Sequence, residues 1–294
     1  MEPQPPKPIE RRGIRRGIYI LPSLFTVGTL VCGYYALLST QHAGQLLVAA
    51  SAASLAPKAA ELSALVAAAF DNAAKAIGWA IVFDGFDGRI ARMTNTTSAF
   101  GRELDSLADV IAFGVAPAAL AYVWGIRALG EIPTAPLLQH LPDLAGILTF
   151  AYVICGAARL ARFNIDTVKP SSDRRFFVGM PIPAAAGFIV AIVHFYKQPL
   201  TTWQISLAWL GAVVILGFLM VSRMRYYSFK ALDLRKRRSY LAIIVIGLII
   251  VGIFTYSEPV LLTIAIAYTI SGIVLRITSK IRPHPPAPEE VHAA

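Results

Sequence analysis

The sequence predicts an all-α protein, a polytopic membrane bundle of about eight transmembrane helices with both termini in the cytoplasm. Three observations predict it. The 294 residues are 56% hydrophobic and only 15% charged, with a mean hydropathy of +0.61, well to the apolar side of soluble domains. The apolar residues gather in runs near the roughly 20 residues that cross a bilayer. Basic residues fall on one side of the resulting alternation, 23 of the 27 lysines and arginines, as the positive-inside rule requires. This composition excludes disorder and an ordinary soluble domain. A formal charge of +10 on so apolar a chain does not read as nucleic-acid binding. Cys32 and Cys155 both lie in apolar runs, which excludes a disulfide scaffold and a thiolate metal site.

The elements follow in order. Residues 1–16 form a Pro-rich basic tail. The apolar run after it is too long for a signal-peptide core and lacks a clean cleavage site. Spans are expected at Gly17–Ser39, Ala73–Met93, Leu104–Trp124, Ala145–Arg162, Ile182–Tyr196, Thr202–Val221, Tyr240–Tyr256 and Pro259–Ile277. Ala43–Phe70 is Ala-rich, with Pro57 and Lys58 in its middle, and each half is too short to span alone. It reads as an interfacial helical hairpin on the outer side; a pair of tight spans or a long extension of the second helix keeps the same parity. Residues 222–239 are a basic cytoplasmic loop, 240–277 a C-terminal helix pair, and 278–294 a Pro-rich disordered tail. The five histidines have no ligand spacing to one another.

The chemistry sits in four aspartates. Asp84 and Asp87 are three residues apart and share a helix face; Gly88, Ala91 and Arg92 follow on that stripe or the one beside it. Eight residues later, Gly101, Asp105 and Asp109 run down one face of the next helix. Two helix ends joined by a short loop therefore present four carboxylates to each other. Acids at membrane depth are functional by default, and four together repel unless a cation lies between them. Hard oxygen donors in this number suit Mg²⁺ or Mn²⁺, with Ca²⁺ a competitor, and two ions bridged by such a set favour displacement at phosphorus. Arg92 offers a fork for phosphate oxygens, and Gly88 and Ala91 leave room for a ligand close to the backbone. Helix-end pairing with Arg89 and Arg102 is the plainer reading; it explains neither the spacing nor the small residues.

The pattern D-x-x-D-G-x-x-A-R-x8-G-x3-D-x3-D, from Asp84 to Asp109, resembles the signature of the CDP-alcohol phosphatidyltransferase family, and every fixed position matches. Flanking segments resemble the bacterial branch that uses serine: Arg12–Thr26 (RGIRRGIYILPSLFT), Ala108–Pro117 (ADVIAFGVAP), Gly156–Asn164 (GAARLARFN) and Phe176–Gly187 (FFVGMPIPAAAG). The resemblance runs from about Arg11 to Gly187 and implies a catalytic membrane domain at 17–221, with 43–70 an insertion relative to shorter members. It implies transfer of the phosphatidyl group from CDP-diacylglycerol to L-serine, giving phosphatidylserine and CMP at the cytoplasmic face of a bacterial inner membrane. It further implies a homodimer, and two divalent cations, Mg²⁺ or Mn²⁺. Asp84, Asp87 and Asp105 become metal ligands, and Asp109 the general base that also touches a metal. Thr26, Gly88, Ala91, Arg92 and Gly101 become the nucleotide and diphosphate side. One position departs from the pattern: Ser23 stands where relatives carry Asn, and its reach is shorter.

An acceptor with a carboxylate needs a cation, and Arg is the better fork. Arg159, Arg162, Asn164, Lys169, Arg174 and Arg175 lie at or beyond the end of the fourth span on the motif side. The motif alone leaves the acceptor open between serine, glycerol 3-phosphate and an inositol phosphate. A cation-coupled transporter is the reading from another class. Against it, the carboxylates fall at helix ends rather than at mid-membrane, where coupling sites sit.

Overall fold

The computed structural model describes residues 12–52, 56–94, 99–126, 140–166, 176–227 and 239–281. Among them are nine α-helices: α1 (Arg12–Ala52), α2 (Ala56–Thr94), α3 (Ala99–Asp109), α4 (Ala116–Gly125), α5 (Leu141–Asp166), α6 (Ile182–Tyr196), α7 (Trp203–Val221), α8 (Ser239–Thr255) and α9 (Ser257–Ile281). Six stretches are long and apolar enough to cross a membrane: Ser23–Ala52, Pro57–Ile90, Phe100–Gly125, Leu141–Ile165, Trp203–Val221 and Ser257–Thr278. The expected count of eight is thus six by length. The fifth and seventh expected spans are the shorter apolar helices Ile182–Tyr196 and Ile244–Thr255. Pro181 caps α6 at one end, and Lys197, with φ 56°, stops it at the other, so the helix closes at 15 residues.

The described residues are helical apart from one short ribbon. Two three-residue strands, β1 (Phe176–Val178) and β2 (Arg225–Tyr227), pair antiparallel with Phe177 opposite Tyr226. Gly179 follows β1 with φ +80°, and a Cβ there would lie 2.4 Å from the Met220 carbonyl oxygen. Only glycine takes this turn without strain. It is locked from both sides, Gly179 N–H donating to Met224 O (2.7 Å) and Met180 N–H to Leu219 O (3.1 Å). The Gly179–Pro183 segment therefore acts both as a tight turn and as the start of α6.

Among the described residues, 43–52 and 56–70 form no separate hairpin. Their halves continue α1 and α2, helices of 41 and 39 residues. Alanine is the best helix former, and Pro57 falls in the first turn of α2, where a missing N–H does no harm. The α1–α2 seam is built from small buried residues, Ala36, Ala43, Ala69, Ala73, Ala76 and Ala80, which let two membrane helices approach closely. Ser39 Oγ donates across it to Ala69 O (3.1 Å).

Between α3 and α4 the rod widens into a π-helical segment, Val110–Val115, where Ala116 N–H reaches back to Ile111 O. Pro117 explains part of this. It has no N–H for the carbonyl four residues earlier, that of Phe113. The buried Tyr152 hydroxyl supplies the donor from α5 at 3.1 Å. The widened turn begins directly after Asp109.

Candidate active site

Helices α1, α2, α3 and α5 carry the site. Asp84 and Asp87 lie near the end of α2, Asp105 and Asp109 on the facing α3. One carboxylate oxygen each from Asp84, Asp105 and Asp109 falls within 4.8 Å of the others. The motif spacing thus closes in space as the helical periodicity requires. Asp87 sits beside this trio, 6% exposed, and its Oδ2 accepts a hydrogen bond from Thr26 Oγ1 on α1. Thr26, 61 positions away in sequence and itself buried, is thereby joined to the cluster. Phe25 packs against Phe83 and Phe86, ring centroids 6.3 and 6.1 Å apart. These contacts fix α1 against the acidic end of α2.

Asp109 is 8% exposed, and its Oδ1 accepts no hydrogen bond among the described residues. A buried carboxylate oxygen without a donor asks for a cation or a proton. Three hard oxygen donors within bridging reach, one of them orphaned, fit a divalent cation such as Mg²⁺ or Mn²⁺. Gly88 is exposed and a Cβ there would meet nothing within 4 Å, so the backbone beside Asp87 is open to a ligand. Gly101 is half-buried one turn before Asp105. Arg89 and Arg102 are exposed, and among the described residues no ion pair ties either to Asp105 or Asp109. The helix-end-pairing reading finds no support at those two aspartates.

The remaining candidates divide. Ala91 and Arg92 continue α2, but their side chains lie outside the described residues, as do Lys169, Arg174 and Arg175. Asn164 Nδ2 donates to Ser106 Oγ (2.9 Å), which puts the end of α5 against the motif helix. Arg162 is exposed, and its Nη1 donates to Val221 O (3.1 Å), which turns it toward the end of α7. Arg159 is buried and its Nε donates to Met180 O (2.8 Å). Arg159 and Arg162 are equivalent candidates in the sequence; tertiary placement separates them. Ser106 and Tyr152 are site neighbours that the motif does not mark. Pro117 was the available signal for the second, since a proline inside a span orphans a carbonyl.

A family model described as CDP-alcohol phosphatidyltransferase matches residues 19–217. The chain is 42% identical over 172 residues to a Helicobacter pylori (strain J99) protein named CDP-diacylglycerol–serine O-phosphatidyltransferase, covering 58% of this chain and 67% of that one. It is similar to two proteins of the same name from Methanocaldococcus jannaschii, at 34% over 203 residues (69% and 83% of the two chains), and Bacillus subtilis, at 31% over 210 residues (71% and 91%).

Proposed function

The chain belongs to the CDP-alcohol phosphatidyltransferase family, and from that premise we propose that it moves the phosphatidyl group of CDP-diacylglycerol onto the hydroxyl of L-serine, giving phosphatidylserine and CMP. The observation that carries this is the closure of Asp84, Asp105 and Asp109 within a motif whose relatives are named for serine. Asp84, Asp87 and Asp105 would hold two divalent cations, Mg²⁺ or Mn²⁺, and Asp109 would also contact one of them. When bound, the cations neutralise charge on the attacked phosphate and on the departing nucleotide.

The chain's own residues do the rest. Thr26, Gly88, Ala91, Arg92 and Gly101 receive the nucleotide and diphosphate, on the α1–α2 side. Thr26 also holds the Asp87 carboxylate in place. Asp109 takes the hydroxyl proton of serine as its oxygen attacks the phosphorus bearing the lipid, and the bond to CMP breaks. Arg159, Arg162, Asn164, Lys169 and Arg174 are the acceptor side. Holding a lipid and a soluble alcohol at one membrane surface supplies much of the remaining acceleration.

The site and both termini are read as cytoplasmic on the strength of the 23 basic residues gathered on that side, while the homodimer and the bacterial inner membrane are what the family resemblance implies. Its catalytic unit is residues 17–221, followed by the basic loop 222–239, the helix pair 240–277 and the tail 278–294. The test offers purified full-length protein CDP-diacylglycerol with L-serine, glycerol 3-phosphate or an inositol phosphate, and follows CMP. Serine should release CMP with matching phosphatidylserine. Release with glycerol 3-phosphate and none with serine would overturn the assignment.

A further inference from the structure

Asp109 is the last residue before the rod widens. Helix α3 ends on it, and the π-helical turn Val110–Val115 starts with the next residue. Ala116 and Leu120 stand seven and eleven residues after Asp109. On a regular α-helix those spacings are two and three turns, so all three side chains would fall in line. Ala116 and Leu120 are fully buried in the apolar core. A regular rod would therefore aim the Asp109 carboxylate along the same packed stripe. The wide turn holds one residue more than an α-turn and offsets the faces on its two sides by roughly 100°. It thus takes Asp109 out of the core stripe and lets one of its oxygens close on those of Asp84 and Asp105.

Two neighbours hold the turn open, one from each side. From α5, the buried Tyr152 hydroxyl donates to Phe113 O at 3.1 Å, in place of the N–H that Pro117 lacks. From the other side α1 crosses at Gly33, where a Cβ would lie 2.9 Å from Ala112 Cα. Both contacts fall on residues 112 and 113, just past the base. The two flanks of the turn are not equally held. Helix α4 is packed by α1, α5, α6 and α7, whereas α3 lies chiefly on α1 and meets α5 through Asn164 and Ser106. If the turn tightens to an ordinary one, α3 is the part that rotates, and it carries Asp105 and Asp109 with it.

We propose that Tyr152 and Gly33 are positioning residues for the proton transfer: by keeping the turn wide they aim Asp109 at the acceptor hydroxyl. This rests on Asp109 being the base of the reaction proposed above. It holds for whichever alcohol is the acceptor.

The experiment measures kcat, both KM values and the thermal midpoint for unmodified protein, Tyr152→Phe, and Tyr152→Phe combined with Pro117→Ala. Tyr152→Phe should lose about tenfold in kcat with KM for L-serine and for CDP-diacylglycerol within twofold, since a small misplacement of a reacting group costs rate. The double variant separates aim from stability. Its restored N–H at position 117 reaches Phe113 O in the ordinary α pattern, so the thermal midpoint should recover in part while kcat stays low. Recovery of kcat together with the midpoint would leave Tyr152 a stabilising residue only and overturn the proposal. An unchanged kcat in Tyr152→Phe, or a rise in either KM as large as the fall in kcat, overturns it too. Should Tyr152→Phe fold poorly, Gly33→Ala, which displaces Ala112 from the α1 side, must show the same fall in kcat with both KM values kept. Unmodified protein that releases no CMP with any of the three acceptors overturns the functional reading instead, so the two failures are distinct.

Discussion

At the residue scale, the proposed general base has different surroundings from the proposed metal ligands. Asp109 differs from its neighbours in having a buried oxygen with no donor, whereas Asp87 has Thr26. Asp109→Asn keeps the shape and one oxygen and removes the base. We expect CMP release to fall by about 10²–10⁴, the usual worth of general acid–base catalysis, with thermal stability kept or raised, because a repelling charge has left a buried cluster. Chelation with EDTA should abolish the activity of unmodified protein, and Mg²⁺ or Mn²⁺ should restore it. Neither ion should restore the Asp109→Asn variant. Full activity in that variant, measured in detergent by CMP release, would remove Asp109 from the base role. These four acids were legible in the sequence because their spacing is helical and local. Arg159 was not separable from Arg162, since both sit on one helix end, and only the turn at Met180 decides which of them is buried.

At the element scale, the π-helical segment is the feature that sequence reasoning passed over. Period and hydropathy read Leu104–Trp124 as one regular helix, and a one-residue widening leaves both nearly unchanged. The exchange of donors between Pro117 and Tyr152 makes it testable. Tyr152→Phe leaves the Phe113 carbonyl without its buried donor and should cost about 1 kcal/mol, within the range for membrane hydrogen bonds and unmet buried groups. Adding Pro117→Ala returns an N–H four residues ahead and should recover part of that loss. Thermal unfolding of the single and double variants measures it; strictly additive losses would refute the exchange. The β-ribbon was invisible for another reason. Strands of three residues show no alternation, and their pairing depends on contacts formed only when α6 and α7 are already side by side. Helix α9 is pinned at its N-terminal end. His194 on α6 hydrogen-bonds both Asp71 of α2 and Ser257 of α9, and Lys197 meets Glu258 at 2.5 Å. That bond to Glu258 holds the Lys197 ammonium above its ordinary value. The lysine's side of the contact is complete at neutral pH and is lost as pH rises through the alkaline range; protonation of the Glu258 carboxylate ends it on the acid side.

At the scale of the whole molecule, the two long helices argue for an orientation. From Pro57 to Asp84, α2 rises about 40 Å at about 1.5 Å per residue, more than the roughly 30 Å of a hydrocarbon core. The carboxylates and the α1–α2 tip therefore cannot both lie within the membrane; with the acids at one surface, the tip stands clear of the other. The proposed cytoplasmic surface is assigned from charge. Residues 1–16, the facing ends of α2 and α3 with Arg89, Arg92 and Arg102, and residues 222–239 are counted on one side, while Lys58, Lys75, Arg127 and Lys197 are counted on the other, and such a bias sets insertion. Glu61, exposed near the tip, and Glu103, exposed on the motif helix, report the two surfaces. Cys32 and Cys155, both half-buried, lie within the spans, so background labelling is low. In intact cells a membrane-impermeant maleimide should label Glu61→Cys and leave Glu103→Cys unlabelled until the membrane is opened. The reverse pattern would put the carboxylates outside, away from any intracellular supply of serine and CDP-diacylglycerol. A protein so oriented could not carry out the proposed reaction, so this measurement bears on the function as directly as on the topology.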